Sequence, residues 1–166
     1  MGVRDDEFVE FVHRCSAPLR RTALLMCGDW HRAEDLVQTT LVKLFRAWSR
    51  VRGMDQREAC ARQVLLRTII DESRRFWRRE RSSDVLPDRA IPAVDSDLSI
   101  DLRRALAALP VRQRATVVLR YWEDLPVGEV ATLLRCNEGT VKSKSAKAPA
   151  ALRTMTDSGR VLEGRQ

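Results

Sequence analysis

Apolar residues recur along this chain at three- and four-residue spacing, stretch after stretch, which predicts helices throughout and an all-α fold. Over residues 5–27 the apolar positions are Phe8, Phe11 and Val12, then Leu19, Ala23 and Met26, with Pro18 expected to interrupt the helix. Asp5, Asp6 and Glu7 lie in its first turn, where carboxylates favour the positive end of the helix dipole. Gly28 is placed to stop it and Asp29 to cap the next. The strongest pattern runs from Ala33 to Trp48. Leu36, Val37, Leu41, Leu44, Phe45 and Trp48 form its stripe, and Glu34, Asp35, Gln38, Thr39, Lys43 and Arg46 take the other faces. After a loop around Gly53, residues 57–81 read as helix with Ala61, Val64, Leu65, Thr68 and Ile69 inward.

The rhythm then stops. Residues 82–99 hold two prolines, four aspartates and no stripe, and read as an extended linker. It resumes with Leu102, Leu106 and Leu109 in a short helix that Ser99 would cap. Pro110 suits the first position of the next helix, which turns Ala115, Val118, Leu119 and Trp122 inward. From Glu123 to Arg153 the chain reads as two short helices at a sharp turn. Val127, Val130, Ala131 and Leu134 line the first, and Ala131 is small enough for the pair to approach closely. Arg135 and Cys136 break the pattern, and Asn137 stands where an N-cap belongs, able to accept from Gly139 or Thr140. The second helix begins at Glu138 with one inward apolar residue, Val141, among Lys142, Ser143, Lys144, Ser145 and Lys147. A small, polar, cationic helix with a narrow buried seam suits the DNA major groove, and an ordinary hairpin with a solvated basic face is the plainer reading. Pro149 should end or kink it near Ala148. The whole reads as two small helical domains, residues 5–81 and 100–156, joined by a flexible linker over 82–99.

Charge narrows the partners. The formal net charge is +7, the isoelectric point is near 9.9, and arginine greatly outnumbers lysine, so a polyanion is the expected partner. The segment RRFWRRER packs five arginines into eight residues. Its guanidinium groups suit phosphates, and Trp77 can stack on an exposed base or simply fill the core. No apolar run reaches membrane-spanning length and MGVRDDEF has no signal core, so a cytoplasmic protein without membrane contact is expected. Four cysteines form no CxxC pair, and His13, Cys15, Cys27 and His31 offer only one ligand-like spacing, so no metal is expected. Phosphate-loop, HExxH and GxSxG words are missing, which argues against an enzyme, a cofactor or a small-molecule substrate.

Three groups of words carry a resemblance. Tyr121-Trp122-Glu123-Asp124-Leu125, Glu129-Val130-Ala131 and Glu138-Gly139-Thr140-Val141-Lys142-Ser143-Lys144 are similar to the C-terminal DNA-binding region of bacterial extracytoplasmic-function (ECF) sigma factors. LPxxxR at Leu109 to Arg114 and the following VVLRYWEDL from Val117 to Leu125 resemble the same family. Upstream, Ala33-Glu34-Asp35-Leu36-Val37-Gln38 looks like the family's segment for the clamp helices of RNA polymerase. The likeness covers nearly the whole chain, from Glu7 to Arg153, and is nearest the actinobacterial SigE-like subgroup.

The resemblance implies core RNA polymerase and promoter DNA as partners, with an anti-sigma factor as a further candidate. It makes Asp35, Gln38 and Thr39 contacts to core polymerase. It gives Asp71, Arg74, Arg75, Trp77, Arg78 and Arg79 to the −10 element, and Glu138, Thr140, Lys142, Ser143, Lys144 and Lys147 to the −35 element. It would also run the acidic linker through the polymerase's RNA-exit path. Four departures stand out. Asp71 replaces an asparagine near the captured base, and an anion can accept but not donate. Val64 and Leu66 stand where aromatics assist strand opening, Arg135 replaces a turn glycine, and Pro149 falls in the recognition helix. Two rivals follow: a stand-alone helix-turn-helix regulator, and a degenerate sigma-like chain that titrates polymerase or an anti-sigma factor.

Overall fold

Gly28 ends the first helix as its position predicts, adopting φ +71° and donating its N–H to Leu24 O at 2.8 Å. The structure is a computed structural model that describes residues 2–80, 100–146 and 148, with side chains at 76–80, 100 and 101 excepted. The described residues are helices and turns, with no strand among them. The chain divides into two compact units, Met1–Pro92 and Ala93–Gln166. The linker over 82–99, the Ser99 cap, Lys147 and Pro149 lie outside the described residues.

The first unit packs α1 (Val3–Cys27), α2 (Trp30–Arg46) and α4 (Arg57–Glu80) against one another, with a single turn, α3 (Trp48–Val51), between the last two. Helix α1 runs straight through Pro18, so the expected interruption does not occur. Pro18 lies on the exposed face, where the carbonyl it leaves unbonded can turn to water. Asp29 caps α2 by accepting from the Arg32 N–H at 3.1 Å. The core is aromatic at one end: Trp48 and Phe11 are fully buried, and Phe8 meets the Trp48 and Phe45 rings edge-on, each at 5.1 Å. Lys43 Nζ donates to buried Thr68 at 3.0 Å and ties α2 to α4. The stripes differ from expectation at their margins, and Val64 is only half-buried. Phe45 stays 46% exposed although its edge touches Phe8. Leu66 and Ile70 are buried beside Leu65 and Ile69, because α4 is covered over a wider arc than the stripe predicts.

In the second unit, α5 (Ile100–Ala107) and α6 (Val111–Val117) are joined at Leu109-Pro110, with Pro110 as N-cap, one residue before its expected place. Arg114 of LPxxxR donates from Nε to Leu106 O at 2.8 Å and from Nη2 to Leu109 O at 3.2 Å. A cation thus closes the negative end of α5. Beyond Val117 the ladder widens to i−5 bonding over Val118–Trp122, ending with Glu123 N–H on Val118 O at 3.0 Å. Trp122, expected inward at α-helical spacing, is carried by that wider turn to a half-buried position, while Thr116 and Val117 join the core. Helices α7 (Val127–Leu134) and α8 (Glu138–Ala146) complete the unit.

Two measurements follow. Arg135 lies in the left-handed region at φ +51°, a conformation that costs a side-chain-bearing residue about 1 kcal/mol over glycine. Arg135→Gly should raise the thermal midpoint of the second unit by a few degrees in calorimetry. Burial pushes the Cys15 thiol up to about 11, against an ordinary value of 9.0. Folding thus favours its neutral form. That contribution is complete below about pH 9 and disappears as pH rises to about 11. Thermal midpoints of wild type and Cys15→Ala should converge across this interval.

Candidate functional site

Three exposed helix faces carry the predicted site residues. On α2 the face opposite the core runs through Asp35, Gln38, Val42 and Arg46, all exposed, with Thr39 half-buried beside them. Asp35, Gln38 and Thr39 therefore share one surface. That surface is less polar than the sequence suggests, because Val42 and Phe45 are exposed on it and Val9 of α1 lies alongside. Between α1 and α2 an apolar groove of about 410 Å³ is lined by Phe8, Val12, Gln38, Leu41 and Phe45 among others. Arg20 and Glu34 form an ion pair between the two helices, and the Arg20 guanidinium lies 5.7 Å from the Trp30 ring centre.

On α4, Asp71, Arg74 and Arg75 fall at i, i+3 and i+4 and so lie on one side of the helix. Asp71 and Arg75 are exposed and Arg74 is half-buried. Exposed Arg67, four residues before Asp71, extends the same row of cations. Its i−4 spacing is a signal the sequence reading passed over. Trp77, Arg78 and Arg79 belong to the last turns of α4, past the last described side chain at Arg75. Leu66, expected where aromatics assist strand opening, has no exposed surface, so only half-buried Val64 of that pair can reach a partner.

The third face is α8, and its presentation depends on the turn before it. Cys136 N–H bonds to Ala131 O at 3.0 Å and Arg135 N–H to Thr132 O at 3.3 Å. These are the paired 6→1 and 5→2 bonds of a Schellman ending, with Arg135 at the left-handed position. Asn137 then caps α8, its Oδ1 accepting from the Thr140 N–H at 2.7 Å and the Thr140 hydroxyl at 2.9 Å. The two helices pack together, with Ala131 buried, and approach at Gly128, where a Cβ would come within 3.2 Å of a Glu138 carboxylate oxygen.

The inward seam of α8 is longer than Val141 alone. Ser145 and Ala148 are buried with it, and the Tyr121 hydroxyl donates to Ser145 O at 3.3 Å. This leaves Lys142 and Ser143 fully outward and Glu138 exposed with its carboxylate beside Gly128, with Thr140 and Lys144 half-buried on the flanks. Because the Thr140 hydroxyl spends its hydrogen on Asn137, its oxygen faces a partner as an acceptor only. Among the described residues no three His, Cys, Asp or Glu side chains converge as a metal would need. No described helix is long and apolar enough to cross a membrane.

Two family models match the chain: sigma-70 region 2 over residues 11–81 and sigma-70 region 4 over residues 99–152. An RNA polymerase sigma-E factor of Streptomyces avermitilis is 33% identical over 92% of this chain and 86% of its own length. The ECF RNA polymerase sigma factor SigL of Mycobacterium tuberculosis is 36% identical over 83% of this chain and 82% of its own. The chain belongs to the ECF sigma factors of RNA polymerase. As a sigma factor it joins core polymerase and directs transcription initiation at promoter DNA. The fold also matches the solved sigma factor RpoE of Bartonella quintana, itself in complex with the anti-sigma factor NepR. That likeness has a TM-score of 0.66 at 22% identity, covering 96% of this chain and 99% of that one.

Within this sigma factor the Asn137 cap is what starts α8, inside the span matched by the sigma-70 region 4 model. Asn137→Ala should cost about 1 kcal/mol, seen as a lower thermal midpoint of the second unit. Asn137→Asp, which keeps an acceptor, should lose far less.

Proposed function

We propose that this sigma factor reads a −35 element with α8 and opens a −10 element with α4, while the exposed face of α2 docks on core polymerase. The observation that carries this reading is the exposed set on α8: Lys142 and Ser143 face outward, and exposed Glu138 lies beside Gly128, on a helix fixed by a cap and a Schellman turn. Lysine reaches the O6 and N7 acceptors of guanine or a phosphate, serine serves either role, and a carboxylate accepts from cytosine N4. Lys144, and Lys147 beyond the described residues, would add phosphate contacts that carry salt dependence.

On α4, Arg74 and Arg75, with Arg78 and Arg79 further along, would hold the backbone of the melted strand, and Trp77 would stack on a base. Asp71 on that face makes the base it meets a hydrogen-bond donor, because an ionised carboxylate can only accept. Asp35, Gln38 and Thr39 would contact core polymerase, with Val42 and Phe45 supplying apolar area at the edge of that surface. The protein acts in the cytoplasm, without a catalytic step, metal or cofactor of its own. An anti-sigma factor, as RpoE has in NepR, is a candidate regulator.

Run-off transcription with purified core RNA polymerase on fragmented genomic DNA tests the reading. Discrete new start sites sharing two upstream boxes are expected. Co-purification with core without any start would favour a titrating protein, and no binding to core would favour a stand-alone regulator. Lys142→Ala with Lys144→Ala should lower specific initiation by at least tenfold while core binding is unchanged, measured by transcript yield and by co-sedimentation. Unchanged transcription from the double variant would remove α8 from −35 recognition.

A further inference from the structure

Two features mark the turn between α7 and α8: a long side chain at a position glycine fills more easily, and a second cation beside it. Arg135 holds φ +51° and ψ +52°, which glycine adopts freely and a long side chain does not. The other described non-glycine residue at positive φ is Asp124, at +55°, a short polar type that tolerates this region. Arg135 has no such tolerance. Its side chain is exposed, with no hydrogen bond or ion pair to any described residue. Strain kept where folding would be easier without it points to function.

The second feature is charge. Arg112 Nη2 donates to Leu134 O at 3.0 Å, which brings a second guanidinium to the residue next to Arg135. That bond uses one of five N–H donors and leaves the others for a further acceptor. Two cations at one exposed turn repel each other, and neither is in an ion pair with a described residue. Arg112 closes the carbonyl end of α7 through that bond, and a polyanion would gain from both charges. The turn comes immediately before Asn137, the cap of α8. A duplex that admits Glu138, Lys142 and Ser143 to its major groove brings the phosphates bordering that groove alongside this turn.

We infer that Arg135 is a DNA-phosphate contact of the −35 complex, an anchor outside the recognition helix with Arg112 reinforcing its charge. It fixes the register of α8 on the duplex and reads no base. The inference rests on the reading that α8 enters the −35 major groove.

The test uses holoenzyme assembled from core RNA polymerase and the full chain, on promoter duplexes mapped by the run-off experiment. Arg135→Gln keeps the left-handed position occupied by a side chain and removes the charge. Its promoter affinity should fall roughly 3–10-fold near ~0.15 M salt, and the slope of log K against log salt should shrink by about one. Arg135→Gly should lose affinity to the same degree although it relieves the backbone, and Arg135→Lys should keep most of it. Start sites should not move, because a phosphate contact carries no sequence information. Wild-type affinity and slope in both the Gln and Gly variants would overturn the inference. Loss in Arg135→Gln but not in Arg135→Gly would also overturn it, assigning the effect to backbone geometry. Failure of the wild-type holoenzyme to select any promoter is a separate result, which would remove the −35 reading and this inference together.

Discussion

An isolated helix in a small domain can bury only one stripe of its surface, and that limit decides what each helix here has left to offer. On α2 the buried arc runs through Leu36, Val37, Thr40 and Leu44, so Asp35, Gln38 and Val42 must face outward. On α4 the buried arc is wider and takes in Leu66 and Ile70, yet Asp71 and Arg75 still turn to solvent. The exposed faces are thus the complements of the core, fixed by the same periodicity. Helix α8 carries the limit furthest. Its seam of Val141 and Ser145, with Ala148 buried just past its end, is too small to hold nine residues by hydrophobic burial alone. The Asn137 cap, the Schellman bonds and the Tyr121 hydroxyl supply the rest through local hydrogen bonding.

Local interactions were the most legible in the sequence. Gly28, Asp29 and Asn137 act within a few residues of themselves, so their roles as stop and caps followed from residue type and position. The stripes gave the all-α class and most of the core, because three-four spacing needs no knowledge of the partner helix. Errors arose where a neighbour decides the outcome. Phe45 and Leu66 lie at the margins of their stripes, and only the packing of α1, α2 and α4 says which margin is covered. Ser145 and Ala148 were missed as inward residues because small side chains leave almost no hydropathy signal.

Pro18 was over-read. Proline removes one hydrogen bond, and a long helix with its proline on the solvent side can lose that bond to water without breaking. Arg114 shows the reverse case. LPxxxR was visible as a word of the family, but its physical role, a guanidinium closing the carbonyl end of α5, needs the fold to bring residues 106, 109 and 114 together. The same layout in RpoE of Bartonella quintana at 22% identity shows how little of this depends on particular side chains. Spacing and the helix ends carry it.

The widened turn over Val118–Trp122 makes that stretch a gauge of chain length. An i−5 ladder accommodates one residue more than an α-helix would between the same ends. Removing a single residue there would restore ordinary helical bonding. The ends of the stretch would stay where they are. Leu125, whose N–H reaches back to Leu119 O at 3.0 Å, would keep its place, and α7 and α8 with it. The extra residue is slack held inside a helix, where a deletion changes local bonding and leaves α8 where it stands.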